Sequence, residues 1–413
     1  MKLFRNKWTA LFLSNFLGVY NDNFLKNCII FIAVSWSLPS WLTQSQLISI
    51  VSASLVLPYL FLSPLGGRLA VVYSKLKVFR FFKLLEIPIM LIACTAFYFH
   101  LVILAVFSVF LMGIQSCLYS PSKYSLIRDI GGKEGVSYGS GIFETMAFLG
   151  ILVGTVTASF LSDVYNQWIL FIFFLGLALL GYVVTRSIRA MELPEHKSDL
   201  SDIRPGRFLI NSYRFAHSHS FLNSAVLGAS AFWLIGGMLQ MNLIIHCKQV
   251  YHASNTATGL VMSSAAIGIA LGCSAAGKLS KNEVKRGLIL LGLFGMILSL
   301  TVLTFIHIAM PLFVLCVFIV AFMGGIFQVP CLSMVQHANL GRKLGDIIAY
   351  LNLVTFSFVL LGTLLFSLTT YFFVENSFVV FGVILMLCVI IAGYFLKKSP
   401  VFWDETKSMF VRP

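Results

Sequence analysis

The chain has 413 residues, of which 59% are hydrophobic and 11% charged, with a mean hydropathy of +0.92; soluble domains carry about 25% charged residues. That much apolar surface excludes a water-soluble globular fold, and long continuous apolar runs exclude a β-barrel, which reads as short alternating segments. The formal net charge of +14 recurs at every second connection between apolar runs instead of forming one patch, so it describes a topology and excludes a nucleic-acid partner.

A helix needs about 20 apolar residues to cross a bilayer. Such runs lie near residues 9–36, 45–73, 81–99, 101–121, 138–162 and 168–186, and a second series near 222–247, 256–277, 287–307, 311–333, 347–372 and 377–396. The opening MKLFRNKW has the charge of a signal peptide, but the run behind it is full length, is interrupted by Asn21-Asp22-Asn23 and lacks a small-residue cleavage site. It reads as a retained first span. Lys2, Arg5 and Lys7 precede the first span; Lys75, Lys77, Arg80 and Lys83 follow the second; Lys123, Arg128 and Lys133 follow the fourth. The same holds after the sixth (Arg186, Arg189, Lys197), the eighth (Lys278, Lys281, Lys285, Arg286) and the tenth (Arg342, Lys343), whereas the alternate connections hold only Lys248. By the positive-inside rule the number of spans is even and both termini are cytoplasmic.

The one long polar stretch, residues 187–221, divides the chain into an N-terminal six-helix bundle (1–186) and a C-terminal one (222–396), with a cytoplasmic tail at 397–413. The halves echo each other: GGRLAVVYSKLKVF follows the second span and GKLSKNEVKRGL the eighth. The expected fold is an all-α membrane protein of twelve transmembrane helices. Six spans, a basic linker and six spans is a plan that resembles the major facilitator superfamily, whose halves rock about a site near the midplane. That family's turn after the second span carries an acidic residue, and here its place is taken by Val71, so the turn is expected to lack its own acidic partner.

Several polar groups interrupt the spans. In the first, Asn15, Asn21, Asp22, Asn23, Lys26 and Asn27 lie within one helix length. A carboxylate or an ammonium at mid-membrane costs about 2.5–3.5 kcal/mol on insertion scales, so such groups face a cavity or a partner. Asp22 and Lys26, one turn apart, are expected to pair, either as a structural salt bridge or as a polar wall of a transport path. At the end of the fourth span, Pro121 is expected to break or kink the helix and Lys123 to sit at headgroup depth between Tyr119 and Tyr124, as an interfacial anchor, a partner for Glu144, or a phosphate-binding cation. In the tenth, Gly324, Gly325 and Pro330 equip a helix for close approach and bending, and Asn352 follows in the eleventh. In the seventh, Gln240, Asn242 and His246 recur at near-helical spacing and are candidates to line the path.

Other chemistry finds little support. All eight cysteines fall in or beside spans without CxxC spacing, as small buried hydrophobes. Gly272-Cys-Ser-Ala-Ala-Gly277-Lys278 imitates a phosphate loop until Leu279 stands where Ser or Thr would bind magnesium. No HExxH, GxSxG or acidic metal cluster occurs, so no enzyme, catalytic residue, cofactor or metal is expected.

NFLGVYNDNFLKN in the first span, LYSPSKYSLI after the fourth, GSGIFETMAFLGILVGT in the fifth, AFW in the seventh, and GGIFQVP with AYLNLV in the tenth and eleventh resemble, in order, the bacterial lysophospholipid transporters of that superfamily. The resemblance implies an inner-membrane carrier that moves lysophospholipids to the cytoplasmic leaflet without hydrolysing ATP, with functional coupling to a phospholipid acyltransferase. It places Asp22, Asn23, Lys123 and Glu144 where the family carries polar residues of its path. The headgroup is expected to engage Asp22, Asn23 and Lys26 near the midplane and Lys123 on the cytoplasmic side, with Gln240 and Asn352 as further substrate contacts. Where the family carries an arginine in the seventh span and a glutamate in the eleventh, this chain has Gln240 and Thr355. The two charges are lost together, which leaves no unpaired ion behind. An exporter of another amphiphile, such as a drug, siderophore or fatty acid, is the alternative.

Overall fold

A computed structural model describes residues 6–33, 36, 38–40, 44–163, 166–192, 204–219, 221–253, 255–280, 283–373, 376–398 and 400–410. Among the described residues there are fourteen α-helices and no strand: α1 (Thr9–Phe31), α2 (Gln44–Val72), α3 (Lys75–Tyr98), α4 (Val102–Gly131), α5 (Val136–Asp163), α6 (Gln167–Arg186), α7 (Pro205–His217), α8 (Leu222–Gln249), α9 (Asn255–Ser280), α10 (Gly287–Phe305), α11 (Met310–His337), α12 (Leu344–Phe372), α13 (Ser377–Lys398) and α14 (Pro400–Phe410). Eleven of them are long and apolar enough to cross a membrane. The remaining long one, α1, has 23 residues, about 35 Å at 1.5 Å per residue. Its polar run from Asn21 to Asn27 explains its lower hydropathy. The chain is thus a multi-pass membrane protein.

Hydrocarbon offers no water to a free N–H, so span ends need partners. Asn166 caps α6 by accepting from the backbone N–H of Trp168 and Ile169 at 3.0 and 3.3 Å, and Asn376 caps α13 at Phe378 and Val379. Gly132, with φ +66°, ends α4. Pro121 lies inside α4, which runs on through it, so the expected break does not occur. Pro121 has no N–H for the Cys117 carbonyl one turn back, and there Gly66 lets α2 approach so closely that a Cβ would stand 2.8 Å from that oxygen.

Two compact units result. One holds Met1–Gly132, Leu149–Phe215 and Leu340–Leu353; the other holds Lys133–Phe148, Ala216–Asn339 and Val354–Pro413. Three helices therefore contribute to both, α7 only by its last two residues. The first turns of α12 belong with the first unit, where Gly67 of α2 would meet Ala349 at 2.7 Å if it bore a Cβ, and Gly345 would meet Ala70 at 2.8 Å. The first turns of α5 belong with the second, where a Cβ at Gly141 would stand 2.7 Å from the Cα of Gly277 of α9. Within the second unit α9 and α11 touch backbone to backbone: a Cβ at Gly272 would lie 2.0 Å from the Phe322 carbonyl, and one at Gly325 would lie 2.5 Å from that of Ile269. Small residues permit such contacts where no hydrophobic effect drives helices together. The false phosphate loop is thus the packing edge of α9.

Three features depart from expectation. Helix α3 begins at Lys75, six residues earlier than its apolar run suggests, which makes Lys83 a core residue rather than a connection charge; it is 0% exposed. Helices α7 and α14 occupy parts of the stretches expected as linker and tail. The turn after α2 does find acids, supplied by distant segments: Lys75 pairs with Asp129 at 2.5 Å, Glu192 accepts from Ser74 and from the backbone N–H of Leu76 at 2.5 and 2.7 Å, and Arg68 pairs with Asp346 at 3.7 Å. All eight cysteines are free and buried, as expected.

Candidate functional site

The polar residues of α1 separate by face. Asn21 and Asn27 are buried, whereas Asp22, Asn23 and Lys26 stay half-buried. Asn27 donates to Thr155 of α5 at 2.9 Å and the Tyr20 hydroxyl to Thr157 at 3.1 Å. These hold α1 in place, while Phe24 packs on Phe174 of α6 with ring centroids 5.2 Å apart. Gly150 and Gly154 of α5 lie against Val19 and Asn23, so the GILVGT segment serves as a track for α1.

Asp22 is the centre of the cluster. Its Oδ2 accepts from Ser116 of α4 at 2.9 Å, and Lys83, Glu86 and Lys123 are close enough to act on it electrostatically. The rings of Tyr59 and Tyr119 stand in the same neighbourhood. The expected contact pair between Asp22 and Lys26 does not form: Lys26 donates to Asn23 Oδ1 at 3.3 Å and reaches Asp22 only through the longer-range attraction. Asn23 also donates to its own helix, at the Val19 carbonyl. A side-chain oxygen three residues back competes for the lysine where the helix brings it nearer than the carboxylate.

Lys123 holds its place between two rings, 5.3 Å from the Tyr119 centroid and 5.6 Å from that of Tyr124, as its flanking residues predict. Its field reaches Asp22, and the helix that carries it runs on past Pro121. Tyr119 in turn stacks on Phe79 of α3 at 5.1 Å. Asn352 joins this unit by donating to Ser120 at 3.0 Å.

Behind Asp22 lies a layer that sequence reasoning missed. Glu86, 1% exposed, closes an ion pair with Lys83 and accepts from Asn21 Nδ2 at 2.5 Å. Glu86 and Lys83, three residues apart on α3, are the available signal: a lysine and a glutamate spaced to share one face of a helix that must be embedded.

The remaining candidates fall in the second unit. Glu144 is 2% exposed beside Cys273 of α9, and the neighbouring Thr145 donates to the Ala270 carbonyl at 3.0 Å. Gln240 is exposed. Thr355 shares a hydrogen bond with Ser230 at 3.1 Å, a neutral contact where the lost charge would stand. Asn242 and His246 do not extend the Gln240 side: both bind Ser377 of α13, at its carbonyl (2.9 Å) and hydroxyl (2.8 Å), and His246 stacks on Phe313 at 4.7 Å. These two are core residues. In the AFW segment, Trp233 stacks on Phe148 at 5.8 Å.

The first unit thus offers a half-buried carboxylate and lysines that act on it, set among aromatic rings within membrane-spanning helices. Such an arrangement suits a ligand that is itself charged at one end and apolar at the other, and it defines a membrane carrier. The chain matches the model of the Major Facilitator Superfamily over residues 11–363 and again over 243–408, and it belongs to that family. Among curated relatives, the lysophospholipid transporter LplT of Shigella flexneri serotype 5b (strain 8401) is 28% identical over 385 residues, covering 87% of each chain. That of Yersinia pestis (strain Pestoides F) is 27% identical over 346 residues, covering 81% of this chain and 79% of its own. Solved structures of like fold include the human organic anion transporter MFSD10, with TM-score 0.73 and 14% identity over 94% of this chain and 99% of that one. A bacterial homologue of the iron transporter ferroportin, in an outward-facing state, gives TM-score 0.71 at 14% identity over 95% of this chain and 99% of its own.

Proposed function

We propose that this protein is a lysophospholipid transporter that moves lysophospholipids such as lysophosphatidylethanolamine across the bacterial inner membrane to the cytoplasmic leaflet by alternating access, with both termini cytoplasmic. The observation that carries the reading is the half-buried Asp22 carboxylate within the field of Lys123. A lysophosphatidylethanolamine headgroup bears an ammonium and a phosphate, and Asp22 and Lys123 complement the two. Asn23 and Lys26 extend the polar wall, Asn352 steadies Ser120 beside it, and Glu144 and Gln240 are the corresponding polar positions of the second unit. The names and extent of the curated relatives support the same cargo. Delivery to the inner leaflet suits reacylation by a phospholipid acyltransferase working alongside the carrier.

The test is uptake of labelled lysophosphatidylethanolamine into cells lacking their own lysolipid transporter, followed through conversion to diacyl lipid. Conversion is expected only when this protein is present. Lys123→Ala is expected to slow it about 10-fold, since a charge-assisted contact contributes about 1.5–3 kcal/mol, with normal amounts of protein in the membrane. A well-expressed wild type that gives no conversion would refute the cargo, and unchanged conversion in Lys123→Ala would remove that residue from the site. Export of another amphiphile is the second reading, favoured by one feature: neutral Gln240 and Thr355 stand where the family carries charges.

A further inference from the structure

The ion pair on α3 is enclosed and has no direct place in binding a headgroup. Lys83 is 0% and Glu86 1% exposed, deeper than Asp22 in front of them. The Lys83 ammonium occupies a recess that two glycines leave open: a Cβ at Gly18 of α1 would stand 3.1 Å from Nζ, and one at Gly181 of α6 would stand 3.3 Å away. Polar groups of three helices lie around the pair. Glu86 comes from α3, Asn21 from α1, and the Tyr119 hydroxyl of α4 lies 3.4 Å from the same Gly18 position. Asn21 spends its Nδ2 on Glu86, and its own Oδ1, fully enclosed, has no hydrogen-bond partner. A carboxylate this deeply enclosed must be paired, hold a cation or take up a proton, and here it is the Lys83 ammonium that meets it.

We propose that the Lys83 ammonium is a tethered counter-ion, occupying on its own chain the recess that a free monovalent cation or a proton would otherwise fill. The charges within this layer cancel, one ammonium against one carboxylate, so the carboxylate stays embedded in the membrane without a co-bound solute. Asp22 and Tyr119 are the other titratable groups that act on Glu86, and Asp22 remains free to meet cargo. The stability of the layer therefore does not depend on sodium, and no metal ion need enter this recess during transport.

The experiment melts purified full-length protein in choline, potassium and sodium chloride at equal ionic strength, each at neutral and at acidic pH. Wild type is expected to give one Tm across the salts. Lys83→Met, which keeps the bulk and removes the charge, leaves Glu86 uncompensated. It is expected to melt lower in choline and to regain several degrees with sodium or potassium, or on acidification, the first result naming a metal cation and the second a proton as the substitute. Lys83→Met/Glu86→Gln, with no charge left in the recess, is expected to lose that response. A wild type stabilised by sodium as much as Lys83→Met, or a Lys83→Met that answers to neither cation nor acid, overturns the proposal. If Lys83→Met does not accumulate in membranes, the double variant is expected to do so, and its failure as well would overturn it. These outcomes do not involve cargo. A further arm rests on the transporter reading: lysolipid conversion by wild type is expected to be equal in sodium and choline media, and loss of conversion in every medium, with the melting results intact, would fault the cargo and leave the counter-ion standing.

Discussion

Asp22→Asn is expected to reduce lysophosphatidylethanolamine conversion by about 10- to 100-fold while leaving the protein folded and inserted. The substituted amide keeps the shape of the side chain, and its oxygen can still accept the Ser116 hydroxyl that now reaches Oδ2 at 2.9 Å, so the link between α1 and α4 survives. What disappears is the negative charge facing the cargo ammonium, and a hydrogen bond to a charged group contributes about 1.5–3 kcal/mol. Neighbouring Lys123 then loses an opposing charge and draws the phosphate more strongly, so affinity for lysophosphatidic acid, which lacks the ammonium, is expected to suffer less than affinity for the ethanolamine lipid. The comparison of the two substrates in the same cells is the decisive measurement. Equal losses would mean that Asp22 supports the structure and does not read the headgroup.

The second large effect falls on stability. Gly272→Leu is expected to prevent α9 and α11 from packing, because even a Cβ there would lie 2.0 Å from the Phe322 carbonyl and 2.9 Å from its carbon. The obstacle is backbone, which cannot rotate away as a flexible side chain would. Overpacking of an ordinary core costs about 1–3 kcal/mol and occasionally more; here a whole helix must retreat, and Gly325, seated against Ile269 and Cys273 of α9, would lose its contact as well. Detergent-solubilised Gly272→Leu is expected to elute as aggregate, or to melt far below wild type. Gly176→Ala is the control: nothing lies within 4 Å of a Cβ at that position, and alanine favours a helix over glycine by about 0.8–1.0 kcal/mol, so its Tm is expected to hold or rise. A normal Tm for Gly272→Leu would show that the α9–α11 contact is looser than the structure has it.

Legibility of the fold followed the length scale of the signal. Hydropathy over about 20 residues is a property of composition, and lipid forces every embedded backbone group to bond within its own helix. The spans were therefore readable one at a time, from Thr9–Phe31 to Ser377–Lys398. Helix α3 shows the limit: its first six residues carry too much charge to read as membrane, yet the side chains from Lys75 to Arg80 find Asp129 and the backbone carbonyls of Thr185 and Ile188, partners that belong to distant segments. The missing acid of the turn after α2 was misleading for the same reason, since Asp129 and Glu192 stand in for Val71.

The candidate site divides in the same way. That Asp22 and Lys123 are expensive in a membrane and need a purpose follows from their chemistry and position alone, and so does the place of Lys123 between flanking tyrosines. Which groups they meet does not. Lys26 turned to Asn23, Asn242 and His246 turned to Ser377, and Glu144 lies in a different compact unit from Asp22. Pairing inside a helix bundle depends on which helices become neighbours and how far each is rotated, and glycines such as Gly18, Gly181 and Gly272 set that by allowing contacts of a few ångströms. Sequence by itself determined that this chain crosses a membrane many times with charged groups held inside it. Only the tertiary structure decided that Lys83 and Glu86 are enclosed as a neutral pair behind Asp22, because burial is a property of the neighbours and not of the residue.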